Sequence, residues 1–362
     1  MVSRTLLPPA VEAAEPSYHQ PGGQSAGHQP GEQSAGRLRA CLFSRRSLRL
    51  ALGVLWILDG SLQLQSFMFT KGFANSIIAP SAARQPGFVA GAVEWNARLI
   101  AGHPALFNGV FASVQLALGL AFLFRRMARL AVVASVAWAA GVWYFGEGLG
   151  DVFGWHTTAL AGAPGAALLY AVLALASWPG SGPARSDQEA RRRELLPGWT
   201  LGVWAILWVG SAVLSILPAN VSSGAIAAQL TSDASTVPSW LAAIDRGLAS
   251  AVHAAGPVAT GLTVAVELAI GILVFTRGPM RTAALWAGMV VALVYWAVGQ
   301  NFGELFSGQA TDPSTGPLVV LLGLVVLGVC RADSTRTAVF GGRLPDGRVG
   351  RRQSDRCATT VR

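Results

Sequence analysis

Two short stretches of this sequence carry acidic or amide side chains between tryptophan, glycine and phenylalanine residues, in the same order and 153 residues apart. Their chemically active residues are Trp143, Glu147 and Asp151 in the first stretch and Trp296, Gln300 and Glu304 in the second. Carboxyl and amide groups beside an indole could bind a cation, a quinone head group or another polar ligand, so these are candidate ligand-binding residues. In the alternative interpretation the acids satisfy nearby hydrogen-bond donors, for example Arg98.

Four further polar residues fall inside apolar segments: Asp59, Gln63, Gln115 and Glu267. A carboxylate near the middle of a bilayer costs ~2.5 to 3.5 kcal/mol, so each acid needs a partner or a function. Hydrogen bonds from Asp59 to Gln115 and from Glu267 to Ser211 would join neighbouring helices. Alternatively, the two acids belong to a proton relay or to a polar solute site.

Metal and thiol chemistry have little support in the sequence. Glu147, Asp151 and His156 are close enough along the chain to hold a metal ion, but their spacing is not a metal-site signature. The chain has three cysteines and no Cys-x-x-Cys motif, which argues against thiol–disulfide exchange. The cofactor is therefore unassigned, with quinone and metal as the two candidates.

The elements that must hold these residues are apolar. The chain is 52% apolar and 12% charged, whereas soluble domains contain about 25% charged residues. Eight runs reach or approach the ~20 helical residues that cross a bilayer. They are 48–67, 104–124, 130–145, 160–178, 200–217, 256–275, 282–298 and 317–330. We therefore predict an all-α polytopic membrane protein with eight transmembrane helices.

Positive charge predicts the orientation of these helices, because Lys and Arg are retained on the cytoplasmic side. Most of the 27 Lys and Arg residues lie in the two tails and in alternate turns. The opposite loops contain only Lys71, Arg84, Arg98 and Arg246. The pattern predicts a multi-pass protein of the cytoplasmic membrane with both termini in the cytoplasm. The net charge of +9 suits anionic lipid, and no recognition module indicates nucleic acid.

The repeated stretch belongs to a longer internal repeat. Val114–Gly119 and Val266–Gly271 share a pattern at a spacing of 152, and the first helix of each copy aligns at 150. This alignment pairs Gln115 with Glu267 and Asp59 with Val209. Each copy would contain four helices, an even number, so the two copies would insert in the same orientation as tandem four-helix bundles.

The predicted organisation has five parts. They are a disordered cytoplasmic tail (1–44), a four-helix membrane unit (45–178), a cytoplasmic linker (179–198), a second four-helix unit (199–330) and a basic cytoplasmic tail (331–362). The first tail is rich in Pro, Gly, Gln and Ser, the composition of disordered segments. Short interfacial helices are predicted in the outer loops at 73–78, 93–100 and 240–248.

The first helix of the repeat, with Asp59 and Gly60 near its end, and a second helix of the form Glu267–Gly271 resemble the DoxX superfamily of small membrane proteins. The resemblance covers residues 45–178 and 197–330. Members of that superfamily are typically four-helix proteins, some of them associated with quinone-linked sulfur oxidation or membrane redox complexes. The resemblance therefore implies a redox-associated membrane subunit. This chain departs from the pattern in being doubled and in lacking a cysteine pair, which argues against a thiol role.

Three functions remain open at this stage. The first is an accessory, non-catalytic subunit of a membrane redox or quinone-linked system, with the lipid bilayer and a membrane redox protein as partners. The second is a transporter of a small solute, protons or a cation that uses Asp59 and Glu267. The third is a structural membrane protein without a ligand. The sequence contains no pattern that identifies an enzyme.

Overall fold

The structure is a computed structural model that describes residues 44–180, 186, 195–232 and 237–341. Within these residues the chain is all-helical and contains no β-strand. The described residues belong to one compact unit. Nearly all of the predicted N-terminal tail and most of the predicted linker lie outside the described residues.

Eleven α-helices occur in the described part of the chain. They are α1 (Arg45–Leu62), α2 (Gly87–Gly102), α3 (Pro104–Leu123), α4 (Ala128–Phe145), α5 (Ala166–Ala176), α6 (Thr200–Ser215), α7 (Ser223–Thr231), α8 (Ser239–Ala255), α9 (Pro257–Leu273), α10 (Pro279–Val298) and α11 (Thr315–Gly341). Short 3-10 or π-helical segments join them. These are Ser66–Phe69, Phe73–Ile78, Ala79–Ala82, Arg125–Met127, Gly148–Gly154, Ala159–Ala161 and Asn301–Glu304.

Three helices in the described part are long and apolar enough to cross a membrane: α3, α4 together with the turn before it, and α10. Helices α8 and α9 qualify as a pair, but the chain bends by 102° between them. Helices α5, α6 and the first part of α11 are apolar but shorter. Helix α1 carries three arginines and Asp59 and is too charged to qualify. Length and composition therefore give three or four candidate spans, fewer than the eight predicted.

Large apolar side chains point outward along the candidate spans. Leu106 and Val110 on α3 are 64% and 48% exposed, Leu130 on α4 is 62% exposed, and Val290 on α10 is 56% exposed. Soluble monomers rarely expose contiguous apolar surface on this scale. These faces suit contact with lipid, which supports a location in a membrane.

The helices pack in the same order in the two halves of the chain. In the first half α1 packs against α3, α3 against α4 and α4 against α5, and α5 returns to α1. In the second half α6 packs against α9, α9 against α10 and α10 against α11, and α11 returns to α6. Helices α5 and α11, which hold the same place in the two rings, contact each other.

Two reciprocal hydrogen bonds also join the halves. Gln65 Nε2, just after α1, donates to the carbonyl of Ala310 at 3.2 Å. Asn220 Nδ2, just after α6, donates to the carbonyl of Thr157 at 3.0 Å. Thr157 and Ala310 are 153 residues apart, the spacing of the repeated stretches. Each half therefore holds the loop of the other by an equivalent contact.

The predicted short helix at 73–78 is present as a π-helical segment. The other two short helices are longer than predicted: α2 begins earlier, directly after Pro86, and α8 continues beyond 248 to Ala255. Helix α7 is an additional element, capped by the Ser222 hydroxyl. Helix α11 continues past the predicted tail boundary at 331 to Gly341.

Candidate ligand-binding site

The two repeated stretches form the same turn at the end of a helix. After α4, the N–H groups of Gly146 and Glu147 both donate to the carbonyl of Val142, at 2.8 and 2.9 Å. After α10 the turn is repeated with Tyr295 as the shared acceptor, at 2.8 and 3.0 Å. Val142 and Tyr295 therefore occupy equivalent backbone positions.

Both turns then pass through the left-handed region of backbone conformation. Leu149 has a φ of 59° and Phe302 a φ of 56°, values that are uncommon for residues with a Cβ atom. Each turn also requires a glycine, since a Cβ on Gly150 would overlap the carbonyl of Pro164, and the matching glycine lies beside Pro313. The helix therefore unwinds at each turn, and the backbone of a following loop approaches the glycine closely.

Glu147 and Gln300 cap the helices that follow their turns. Both carboxyl oxygens of Glu147 accept the N–H of Ala167 in α5, at 3.0 and 3.3 Å. Gln300 Oε1 accepts the N–H of Gly316 in α11 at 3.3 Å and the hydroxyl of Thr315 at 2.9 Å. The first N–H groups of a helix lack partners within it, so an oxygen acceptor stabilises its start.

The interpretation that the acids satisfy nearby donors is therefore correct for Glu147, but Arg98 is not the donor. Arg98 pairs with Glu94 on its own helix at 3.4 Å. Asp151 Oδ1 accepts a hydrogen bond from Gln85 Nε2 at 2.6 Å. Glu147 and Asp151 thus have separate partners and do not line one helix face, because α4 ends before either residue.

The tryptophans of the repeat have a structural role as well. Trp143 Nε1 donates to the carbonyl of Pro164 at 2.8 Å, and Trp296 Nε1 donates to that of Pro313 at 2.7 Å. Each indole thereby fixes the loop that leads into the next helix. Glu304 lies at the end of the second turn with a φ of 55°.

The metal hypothesis has no support from the geometry. In the residues that the structure describes, no group of three His, Cys, Asp or Glu side chains could hold a metal ion. Asp151 instead lies within electrostatic range of His156 and Arg84. Burial raises the pKa of the Asp151 carboxyl, and the charges of those two residues offset part of the effect.

The packing of α1 on α3 changes the alignment of the two halves. Gly119 on α3 lies against the backbone nitrogen of Ile57, and Gly271 on α9 lies in the same way against that of Val209. Ile57 therefore corresponds to Val209, at a spacing of 152, and the predicted pairing of Asp59 with Val209 is wrong. The correct pairs are Asp59 with Ser211 and Gln63 with Ser215.

In the second half, the polar side chains around Glu267 are paired with one another. Glu267 Oε1 accepts hydrogen bonds from the Ser211 hydroxyl at 2.6 Å and the Tyr295 hydroxyl at 3.0 Å. Its other oxygen accepts from Ser215 at 3.2 Å. The predicted bond between Ser211 and Glu267 is therefore confirmed, and the cluster needs nothing further.

In the first half, the side-chain oxygens of the two corresponding glutamines are not paired. Gln63 and Gln115 are only 4% and 7% exposed, and within the described residues no donor reaches the side-chain oxygen of either, or Oδ1 of Asp59. The predicted bond between Asp59 and Gln115 is thus absent. An unsatisfied buried polar atom costs about 1 to 3 kcal/mol, so these groups require an explanation.

The two glutamines line a cavity of ≈ 370 Å³ between α2, α3 and α4, within the usual range of ~300 to 1,000 Å³ for ligand sites. Its wall is mainly apolar and includes six aromatic residues, Phe73, Trp95, Phe107, Phe111, Trp138 and Phe145. Trp95 and Phe145 are 55% and 37% exposed and form the rim. Among the described lining residues none is Lys, Arg or His.

The polar end of the cavity contains two carboxyl groups, Glu147 from the first half and Asp312 from the second. Burial, and then the charge of Asp312, raise the pKa of Glu147 to about 8. Burial also raises the pKa of Asp312, although the Thr311 hydroxyl and the Ser314 N–H donate to it at 2.8 and 2.7 Å. Glu147 is therefore mostly protonated at neutral pH.

Asp312 and Tyr295 are absent from the residues predicted from sequence. Asp312 corresponds to Ala159 at the spacing of the repeat, so comparison of the two copies does not identify Asp312 as a site residue. Only the packing of the two halves brings Asp312 close to Glu147. Tyr295 does carry a signal, because it replaces Val142 directly before the repeated tryptophan.

No protein-family model matches this chain, and neither a curated protein nor a solved structure shows significant similarity to it. The DoxX-like resemblance therefore stays a prediction.

Proposed function

We propose that this chain is a multi-pass protein of the cytoplasmic membrane that binds a small, largely apolar ligand in the cavity of its first half. Its architecture would be two tandem four-helix bundles with eight crossings and both termini in the cytoplasm. In this role it serves as a non-catalytic subunit of a quinone-linked redox system, as the DoxX-like resemblance implies, and the ligand is a quinone.

The equivalent packing of the two halves supports the tandem architecture. The order of helix contacts, the capping of α5 and α11, and the reciprocal bonds of Gln65 and Asn220 all recur at spacings of 149 to 155 residues. Parallel repeats of an even number of helices insert in the same direction. The short helices α5 and α6 would then cross with the help of the loops beside them.

A single observation carries the ligand-binding proposal: the buried amides of Gln63 and Gln115 have unpaired oxygens in an aromatic cavity. Binding sites for small molecules combine apolar and aromatic walls with a few polar groups that orient the ligand. The rim at Trp95 and Phe145, between α2 and α4, gives access from the side of the protein. A ligand dissolved in lipid could enter there.

The test is to purify the full chain in mild detergent, extract it with organic solvent, and analyse the extract for quinones by chromatography and absorption. We expect co-purified quinone, or saturable binding of added quinone at one site per chain. Gln63→Leu and Gln115→Leu should both lower the amount retained. Glu267→Gln, at the equivalent position of the second half, is the matched control and should retain the parent amount.

If purified protein neither contains nor binds quinone while remaining folded, the quinone-linked function is wrong. A result in which Glu267→Gln lowers retention as much as Gln115→Leu would show that the cavity is not the site.

The buried Asp59 favours a second candidate, a proton or cation transporter. Asp59 lies within electrostatic range of Asp312 and of Tyr170, so acidic groups extend from α1 to the turn after α4. Glu267, the other acid of the transport hypothesis, is instead held by serine and tyrosine hydroxyls. Proton flux into liposomes should therefore fall for Asp59→Asn and stay unchanged for Glu267→Gln; unchanged flux in both variants removes this candidate.

A further inference from the structure

The second half of the chain shows how the cavity of the first half can be filled. Val142 lines that cavity, and Tyr295 holds the equivalent position after α10. The Tyr295 ring extends toward α9, and its phenol hydroxyl donates to Glu267 at 3.0 Å. Glu267 in turn corresponds to Gln115, which lines the same cavity in the first half.

The equivalence of these positions rests on two independent sets of contacts. Val142 and Tyr295 each accept the same pair of turn N–H groups, and each precedes a tryptophan that bonds to a proline carbonyl. Gln115 and Glu267 each lie four residues before a glycine, Gly119 or Gly271, that packs on the neighbouring helix backbone. The Tyr295 ring therefore lies between two positions whose counterparts, Val142 and Gln115, both line the cavity of the first half.

We propose that the cavity binds a ring that carries a hydroxyl group, a phenol or a hydroquinone, in the place that the Tyr295 ring occupies in the second half. The ring lies among the aromatic walls, and its hydroxyl donates to the Gln115 amide oxygen. A second hydroxyl, where present, reaches the oxygen of Gln63. This inference rests on the proposed function and names the chemical class of the ligand.

The polarity of the site agrees with a ligand that donates hydrogen bonds. The unpaired atoms of the two glutamines are oxygens, and the cavity wall also contains one unpaired donor, the indole N–H of Trp138, from which a hydroxyl oxygen can accept a hydrogen bond. The polar end adds the carboxyl groups of Glu147 and Asp312, and the described lining residues include no cationic side chain. A hydroxyl donor satisfies such oxygens, whereas a ligand with only acceptor groups does not.

The site is also confined to one half. In the first half, Glu147 lies beside Asp312. In the second half, the corresponding pair is Gln300 and Ala159, and Gln300 Nε2 donates to the carbonyl of Ala159 at 3.1 Å. In the second half, the tyrosine and the two serines donate to Glu267, so both of its carboxyl oxygens have partners within the protein. A single site per full chain is therefore expected.

The test compares a 4-alkylphenol with its methyl ether, which keeps the ring and the tail but has a methyl group in place of the donor hydrogen. Both carry a ring bromine, so binding quenches the fluorescence of Trp95 and Trp138 at the cavity. In the full-length protein in detergent, the phenol should bind about tenfold more tightly than the ether, a difference of about 1.4 kcal/mol. A hydroquinone and the matching benzoquinone, with equal tails, should show the same preference for the hydroxylated form.

Four variants complete the test. Val142→Tyr places the ring of the second half into the cavity and should abolish binding of both probes. Gln115→Leu should reduce the tenfold preference to about one, while Gln115→Glu, which copies the second half, should preserve it. Glu267→Gln should bind like the parent. Thermal unfolding of each variant in detergent shows which of them are folded.

The outcomes separate the inference from the proposed function. Equal binding of phenol and ether by the parent, or tighter binding of benzoquinone than of hydroquinone, overturns the hydroxyl inference and leaves quinone binding intact. Absence of binding by all four probes overturns both. A folded Val142→Tyr variant that still binds the phenol would place the ligand elsewhere and refute the inference.

Discussion

At the scale of single residues, Glu147 has both a structural role and a place at the cavity. It caps α5 through its carboxyl oxygens and also borders the cavity beside Asp312. An acid at a helix start is ordinarily favoured in its charged form. Burial reverses that preference here because it disfavours the charged form of Glu147, and the neighbouring Asp312 adds repulsion between two negative charges.

This reversal predicts how stability changes with pH. The pKa of Glu147 rises from 4.5 to about 8 on folding, so between these values the folded chain binds more protons than the unfolded chain. Stability then falls as pH rises. The thermal midpoint of the detergent-purified parent should decrease from pH 6 to pH 9. Glu147→Gln should show a clearly smaller decrease, and an identical slope would contradict the raised pKa.

A second prediction at this scale concerns Tyr295. Tyr295→Val removes the ring that fills the second half and copies the first half at that position. We expect a new cavity beside Glu267 and a change from one to two phenol sites per chain, measured by equilibrium binding. Tyr295→Phe is the control, because it keeps the ring and loses only the hydroxyl. It should bind one phenol per chain, and one site in both variants would show that the two halves differ for another reason.

At the scale of elements, the turns after α4 and α10 determine which side chains can reach the next helix. The left-handed residues end the helix, and the tryptophan indoles hold the loop that follows. Capping of α5 and α11 depends on this geometry. The glycines within the turns are required because the loop backbone passes directly against them.

Substitution of these glycines should therefore destabilise the fold. An alanine at Gly150 combines a positive φ, which costs roughly 1 to 2 kcal/mol, with overlap of the Pro164 carbonyl. We expect Gly150→Ala to lower the thermal midpoint and the yield of monodisperse protein, and Gly303→Ala to have a similar effect. Gly109→Ala is the matched control, because nothing lies within 4 Å of a Cβ placed there. Equal stability of all three variants would contradict the tight turn.

At the scale of the whole molecule, the two halves are similar in packing and differ in what they enclose. The repeated contacts hold both rings of helices in the same order, and the loop that contains Asp312 closes the polar end of a cavity in the other half. The cavity therefore needs both halves, although most of its wall comes from the first.

The predicted membrane orientation can be tested with single cysteines in a chain whose native cysteines are replaced by alanine. Phe153→Cys and Phe306→Cys, in the two repeated stretches, should react with a membrane-impermeant maleimide on intact cells. Arg126→Cys and Arg277→Cys should react only after lysis. All four positions are exposed in the structure. Labelling of Phe153→Cys and Phe306→Cys on opposite sides would disprove insertion of both halves in the same direction.

The sequence by itself determines the features that depend on local composition and on comparison of the chain with itself. Long apolar runs predict helices, because a helix pairs the backbone N–H and C=O groups of such a segment internally. Glycine-rich repeats locate the turns after α4 and α10. The bond between Ser211 and Glu267 also follows, because a buried acid must find a donor.

Only the tertiary structure decides what depends on contacts between distant segments. It shows that Asp59 corresponds to Ser211, because the contact of Gly119 with the backbone of α1 fixes how the two helices align. The similarity of Gly60-Ser61 to Gly210-Ser211 in the sequence does not. It brings Asp312 to Glu147 across the two halves, and it leaves Gln63 and Gln115 unpaired in an aromatic cavity. The volume of such a cavity depends on how side chains from several helices pack together, and the local sequence pattern does not predict it.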